Sequence, residues 1–184
     1  MSKTSYLSYC RLAWFSNPAC ERKLFRQMMR RKPQRVLEIG IGLGVRTLRI
    51  FDVARRYCED GQLQYTGIDL FESRPVSAAM LTLKDAYALF RQPGTKVRLI
   101  PGDVLAAMTR TANTLAATDL IVIDAEVADA DLQEAWRYFP RMMTDKTLLL
   151  RQRSGERGKF FDTLTLTDIR KLAAASDPEQ VKAA

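Results

Sequence analysis

The stretch Val36-Leu37-Glu38-Ile39-Gly40-Ile41-Gly42-Leu43-Gly44 decides the fold of this chain. It begins as a short apolar strand, runs into three alternate glycines and is followed by a helical segment that starts at Val45. Glycine lets the backbone turn sharply and lets a ligand approach without a Cβ in the way. The following helix would direct free N–H groups and a partial positive charge to the same point. The stretch therefore predicts a strand–turn–helix unit with a ligand crevice beyond the end of the strand.

Outward from this unit, apolar strands and amphipathic helices alternate along the chain. The predicted strands lie at residues 35–39, 64–70, 96–100, 119–124 and 147–152, with a further edge strand at 160–166. The predicted helices lie at residues 18–31, 45–57, 75–90, 104–115, 132–139 and 168–175. This order predicts a doubly wound α/β fold, with a mostly parallel sheet of five to seven strands and helices on both faces. Residues 1–34 would form an N-terminal helical lid, residues 35–176 the ligand-binding domain and residues 177–184 a flexible tail.

The composition excludes several kinds of chemistry. The 184 residues suit one domain and include no histidine, so a Ser-His-Asp or Cys-His nucleophile and a histidine zinc site are ruled out within this chain. A general base must then be a carboxylate, Lys, Tyr or Cys. The three cysteines match no disulfide or zinc spacing and are expected to be reduced. No apolar run approaches the ~20 residues that span a bilayer, so we expect a cytoplasmic protein without a membrane partner.

Acidic residues end the next three predicted strands. Asp69 ends the second, 25 residues beyond Gly44, where a carboxylate can accept both hydroxyl hydrogens of a ribose. Asp103 follows the third strand and Asp124 ends the fourth. Each of them could instead cap a turn or a helix. Because the carboxyl ends of parallel strands share one edge of the sheet, we expect all three around a single crevice.

The pattern Glu-x-Gly-x-Gly-x-Gly resembles motif I of the class I S-adenosylmethionine (SAM)-dependent methyltransferases. Dinucleotide dehydrogenases place their third glycine one residue later. The resemblance implies a Rossmann-like fold with a shortened C-terminus, and SAM as the cofactor. The residues that it assigns to cofactor binding are Glu38, Gly40, Gly42, Gly44, Asp69, Asp103 and Val104. In the family these hold the methionine part on the loop, ribose on the second acid and adenine on the third. Asp124 would face the transferred methyl group as the catalytic residue, orienting the acceptor or removing its proton.

Within that family, the ending Ile123-Asp124-Ala125 is similar to the catechol O-methyltransferase-type subgroup. That subgroup holds a divalent metal with an acid after strand four and an Asp-Asn pair after strand five. This chain has Arg151-Gln152-Arg153 at the second position, and cations are poor substitutes for hard oxygen ligands. We therefore expect no metal, and predict that Arg151 and Arg153 bind a small acceptor that could be anionic.

Other functions remain open. The short C-terminus is also typical of a non-catalytic or degenerate SAM-binding module, and the acceptor site could be completed by a second copy in a homodimer. A nucleic-acid methyltransferase is a further alternative, because the chain has a formal net charge of +8 and residues 21–35 are strongly basic. That basic segment could equally be the solvated face of a helix.

Overall fold

The computed structural model describes residues 6–59, 62–74, 81–156 and 158–176. The strands are β1 (Arg35–Ile39), β2 (Leu63–Asp69), β3 (Thr95–Pro101), β4 (Leu120–Ile123), β5 (Leu148–Gly155) and β6 (Gly158–Leu164). The helices are α1 (Tyr6–Phe15), α2 (Glu21–Arg31), α3 (Val45–Ala54), α4 (Leu83–Phe90), α5 (Val104–Thr111), α6 (Asp129–Gln133), α7 (Phe139–Met142) and α8 (Leu166–Ala175). The helix predicted at 75–90 begins only at Leu83, because Thr82 is extended and caps it by accepting from N–H of Asp85. Residues 75–80 of that prediction, and the tail predicted at 177–184, lie outside the described residues.

The strands form one six-stranded sheet in the order β3-β2-β1-β4-β5-β6. The first five are parallel and β6 runs antiparallel to β5 at the edge. The order reverses between β1 and β4, which is the point where doubly wound sheets open a crevice. The predicted fold class is therefore confirmed.

Two apolar clusters pack on opposite faces of the sheet. One contains α2 and α3, and the other contains α5, α7 and α8. All four residues of β4 are buried, as expected for a strand with both faces covered. The α2 side chains of Leu24, Phe25 and Met28 are almost fully buried in the first cluster. A lid role for residues 1–34 stays a prediction.

Several predicted helices are shorter than their apolar spacing indicates, and two of them give way to 3₁₀ turns. The segment predicted at 132–139 divides into α6, a 3₁₀ turn at Ala135–Tyr138 and α7. Pro140 lacks the N–H that would bond back to Trp136 in a continuous helix. The segment predicted at 104–115 is helical only to Thr111 and then tightens to a 3₁₀ turn. The short α5 leaves the amino-terminal half of this sheet face partly uncovered. None of the helices in the described ranges combines the length and hydropathy that a bilayer crossing needs.

Candidate functional site

A crevice of about 300 Å³ opens where the carboxyl ends of β1, β2, β3 and β4 meet. Its volume lies at the lower end of the range of small-ligand pockets, roughly 300–1,000 Å³. Its lining contains Ile39, Gly40, Ile68, Asp69, Leu70, Arg74, Gly102, Asp103, Val104, Glu126, Val127 and Asp131. The lining therefore combines apolar walls with four carboxylates and one guanidinium.

The glycine loop is shaped by close contact at its start and open space in its middle. Gly40 has a φ of +83°, and a Cβ at this position would lie 2.8 Å from Cβ of Asp124. Gly42 has a φ of +62°, but a Cβ there would meet no atom within 4 Å. Gly44 is packed against α4, because its Cβ would lie 2.7 Å from the ring of Phe90. The backbone around Gly42 is thus the part of the loop that a ligand can approach.

This difference predicts unequal costs for two alanine substitutions. Gly42→Ala should lower the free energy of unfolding by about 1–2 kcal/mol, the strain of a left-handed alanine. Gly40→Ala carries the same strain and must also displace Asp124, so we expect about 2 kcal/mol more. Urea unfolding of both variants measures the difference. Equal losses would show that the contact between the loop and β4 is not tight.

Asp69 organises the loop, which the sequence did not predict. Its Oδ2 accepts hydrogen bonds from the backbone N–H groups of Ile41 (2.6 Å) and Gly42 (3.0 Å) and from Nη2 of Arg74 (2.5 Å). Its Oδ1 accepts one bond, from N–H of Phe71 at 3.1 Å. A carboxylate offers about four acceptor positions. One acceptor position on Oδ1 therefore remains open, while Oδ2 is occupied by its three donors.

Glu38 lies beneath the loop and is not among the residues that line the crevice in the described chain. It is fully buried, and its Oε2 accepts hydrogen bonds from the hydroxyls of Thr47 and Tyr65, each at 2.7 Å. Its Oε1 has no hydrogen-bond partner and lies 3.7 Å from Nη1 of Arg46, which also lacks one. Burial raises the pKa of Glu38, although the charge of Arg46 opposes this shift. The side chain faces this way because alternate residues of β1 point to opposite sides of the sheet.

Arg46 joins three carboxylates from three different elements. Its guanidinium pairs with Glu21 of α2 at 3.3 Å, with Glu38 at 3.7 Å and with Asp124 at the end of β4. It also donates to the side-chain oxygen of Gln152 at 3.1 Å. Burial by itself lowers the pKa of Arg46, but these carboxylates outweigh burial and raise it. Arg46 lies in the first turn of α3, where the helix dipole makes a cation unfavourable. That position was the sequence signal that could have indicated carboxylate partners for Arg46.

The two remaining acids that the sequence predicts for the site differ in exposure. Asp103 is exposed at the crevice and caps α5, where its Oδ1 accepts from N–H of Ala106 at 2.8 Å. Val104 follows it in the crevice wall. Asp124 is buried, with Oδ2 bonded to Arg46 and Oδ1 accepting from N–H of Glu126 at 2.9 Å. The crevice thus brings Gly40, Asp69, Asp103 and Val104 together, while Asp124 lies behind Gly40.

Arg151 and Arg153 lie within β5 and are already paired with acids. Arg151 is buried, forms an ion pair with Asp129 and lies with its guanidinium carbon 5.6 Å from the ring centre of Trp136. Arg153 pairs with Asp129 at 3.4 Å and with Asp162 at 3.1 Å, and it remains partly exposed. Burial and the charge of Arg153 lower the pKa of Arg151. Neither arginine lines the crevice in the described part of the chain.

No protein-family model matches this chain, and no curated protein matches it. Solved structures do match. The MycE methyltransferase of the mycinamycin biosynthetic pathway, solved with Mg and SAH, has a TM-score of 0.52 and 19% identity over 82% of this chain and 39% of its own. A proposed caffeoyl-CoA O-methyltransferase from Staphylococcus aureus has a TM-score of 0.50 and 17% identity over 87% of this chain and 72% of its own.

A third structure covers more of both chains. The PH0226 protein from Pyrococcus horikoshii has a TM-score of 0.50 and 14% identity, over 92% of this chain and 88% of its own. This chain spans well under half of MycE but most of the other two proteins. At these identities the likeness shows the fold alone, and the fold is the Rossmann-like α/β fold of SAM-dependent methyltransferases.

Proposed function

We propose that the chain binds SAM in the crevice and transfers its methyl group to a small-molecule acceptor. The observation that carries the proposal is the charge of the crevice. Asp69, Asp103, Glu126 and Asp131 line it, against the single cation Arg74. The carboxylates would attract the sulfonium and ammonium groups of SAM, whereas they would repel the pyrophosphate of a dinucleotide. The similar structures include methyltransferases, one of them bound to SAH, which supports the same ligand.

The residues present fit an adenosyl group. Leu70, Val104 and Val127 supply apolar walls for adenine, and Asp103 keeps Oδ2 free of the cap that uses Oδ1. Asp69 would take the ribose hydroxyls in place of Arg74. The open backbone at Gly42 would face the methionine part, as the family resemblance implies. Glu38 would act from beneath the loop, by holding Arg46.

SAM supplies the electrophilic methyl group, and the chain supplies position. Both oxygens of Asp124 already accept hydrogen bonds, from Arg46 and from the backbone of Glu126. This supports a role for Asp124 in orienting the acceptor and in electrostatics, more than in proton removal. We further propose an anionic acceptor, because Arg153 of β5 is partly exposed and could add a ligand to its contacts with Asp129 and Asp162. Arg151 would hold Arg153 in place through their shared partner Asp129.

We propose that the chain shares the first acidic position of the catechol O-methyltransferase-type subgroup but not the subgroup's metal site. Asp124 occupies the position of that subgroup's first metal ligand. At the second position stands Arg151, and its guanidinium pairs with Asp129. A cation so placed supports transfer without a resident metal at Asp124.

Calorimetric titration with SAH and with NAD tests the cofactor. We expect SAH to bind and NAD not to bind, because only NAD brings a pyrophosphate into the acidic crevice. Leu70→Ala should weaken SAH by about 1 kcal/mol, since Leu70 lines the crevice and is 38% exposed without ligand. Leu89→Ala is the matched control, because Leu89 is 39% exposed and lies outside the crevice lining. Tighter binding of NAD, or equal effects of both variants, would contradict the proposal.

A non-catalytic SAM-binding module is the second candidate. The ion pair that ties Asp124 to Arg46 favours it, because that carboxylate is not free to act on an acceptor. SAH binding without methyl transfer to any of a broad panel of acceptors, anionic ones included, would support this alternative. Turnover on any acceptor would exclude it.

A further inference from the structure

A second groove lies at the opposite end of the sheet from the crevice. It has a volume of about 430 Å³, and it is lined from β1, β2, β3 and the segment after α5. It exists because α5 ends at Thr111 and therefore leaves the amino-terminal ends of β1, β2 and β3 partly uncovered on this sheet face. The lining residues are Arg35, Val36, Gln64, Tyr65, Thr66, Lys96, Val97, Arg98, Thr114, Leu115, Ala116 and Thr118.

Three cations share the floor of this groove. Arg35 of β1 and Lys96 of β3 both pair in register with Gln64 of β2, so the three residues form one row across the sheet. Arg98 lies two residues beyond Lys96 and therefore points to the same face. Strand geometry places Lys96 about 7 Å from Arg98 along the strand and about 10 Å from Arg35 across two strand spacings. Lys96 and Arg98 are thus within about one Debye length of each other at physiological salt, roughly 8 Å, and Arg35 lies somewhat beyond that distance.

No carboxylate forms an ion pair with these three cations within the described residues. The described groove lining contains no Asp or Glu. The nearby acid Asp119 is engaged by the backbone, since its Oδ2 accepts from N–H of Gln34 (2.9 Å) and Arg35 (2.8 Å). Mutual repulsion of three unpaired cations is unfavourable, and a bound anion would remove it.

The two arginines are held in place over the groove. Nη1 of Arg98 donates to Oγ1 of Thr114 at 2.9 Å, and Nη1 of Arg35 donates to the backbone oxygen of Ala116 at 3.2 Å. Both bonds reach from the sheet to the wall formed after α5. A guanidinium has five N–H donors, so each arginine keeps several for a ligand. Thr66 is a buried residue of β2, the strand between those of the two arginines, and it pairs in register with Arg98.

We propose that this groove binds a phosphate-bearing anion. Arginine donors match phosphate oxygens in pairs, and Lys96 adds a point charge. The volume suits a small phosphorylated molecule or a short stretch of a nucleic-acid backbone. Tyr65 is the aromatic residue of the described lining, but it is buried in the apolar cluster on the other face of the sheet, so its ring is not available for base stacking. Recognition therefore rests on phosphate. The site is separate from the crevice and does not depend on the proposed methyl transfer.

The test uses inorganic pyrophosphate as the probe, on the full chain at low salt with saturating SAH. We expect pyrophosphate to raise the melting temperature and to bind in calorimetry. The double variant Lys96→Gln/Arg98→Gln should weaken binding at least tenfold. The control Lys84→Gln/Arg91→Gln removes the same charge from exposed positions in and after α4 and should change binding less than twofold.

The outcomes separate the proposal from its alternatives. If pyrophosphate does not bind, the groove is not an anion site. If both double variants weaken binding equally, the general positive charge of the chain attracts pyrophosphate and the groove does not bind it specifically. SAH affinity should stay unchanged in Lys96→Gln/Arg98→Gln, so failure of the crevice proposal would appear separately. ATP and a short single-stranded oligonucleotide then identify the source of the phosphate. Tighter binding of the oligonucleotide indicates a nucleic-acid backbone, and tighter binding of ATP indicates a free phosphorylated molecule; either must be lost in the same double variant.

Discussion

Arg46→Met is expected to lower the free energy of unfolding by about 3–5 kcal/mol at neutral pH. The substitution keeps an unbranched apolar stem but leaves Glu38 and Asp124 as buried carboxylates without a cation. Glu21 would keep Arg49, which pairs with its other oxygen at 2.6 Å. Removing one partner of a buried ion pair is far more costly than the net value of the pair, because the remaining charge stays desolvated. Urea unfolding followed by circular dichroism measures the loss.

The loss should depend on pH in a defined direction. Burial raises the pKa of Glu38 even with Arg46 present, and removal of that cation must raise it further. An acid whose folded-state pKa is above its unfolded value, about 4.3, adds stability below that value and loses it as pH rises through the folded pKa. The difference between wild type and Arg46→Met should therefore be largest above neutral pH and shrink toward about pH 5 and below.

Two further variants decide whether the charge itself is responsible. Arg49→Met is the matched control, because Arg49 is more exposed and pairs only with Glu21 among the described carboxylates. We expect it to cost about 1 kcal/mol. Adding Glu38→Gln to Arg46→Met should recover part of the lost stability, since it removes an unpaired buried charge. Equal losses for both arginines, or no recovery, would show that packing and not charge holds this cluster.

Asp69→Asn is expected to cost about 2–3 kcal/mol of stability and to weaken SAH at least tenfold. The amide can keep an oxygen toward either the loop or Phe71, but not toward both, and it cannot pair with Arg74 as an anion. Hydrogen bonds to a charged acceptor contribute about 1.5–3 kcal/mol each. Because Asp69 holds the N–H groups of Ile41 and Gly42, the glycine loop should lose its shape, and Asp69 should also lose the ribose contact proposed for it. Unfolding and calorimetry measure the two effects separately.

Arg74→Met separates these two roles of Asp69. The carboxylate keeps its three backbone donors in this variant, so the loop should stay folded and the stability loss should be smaller than for Asp69→Asn. SAH should bind several-fold more tightly, because ribose no longer competes with the guanidinium. If SAH instead weakens as much as in Asp69→Asn, Arg74 holds the ligand and does not compete with it. Unchanged SAH affinity in a folded Asp69→Asn would show that the ribose assignment is wrong.

The tertiary structure changed the interpretation of several candidate residues. Glu38 and Asp69 have the strand-end positions that the sequence predicts, but their oxygens are used by Thr47, Tyr65 and the loop backbone. Arg151 and Arg153, predicted to bind the acceptor, are shared with Asp129. The cofactor and catalytic roles of all these residues stay proposals.

The sequence alone determined the order of strands and helices, the parallel sheet and the glycine turn after β1. These depend on local rules: side-chain period, continuous burial of a strand such as β4, and the conformations open to glycine. Only the tertiary structure decided which charges meet. Arg46 is 25 residues from Glu21 and 78 from Asp124, and no local pattern links them. Their pairing follows from the strand register and helix packing that bring three chain segments together at the carboxyl ends of the strands. A charge buried there is stable only when it is paired.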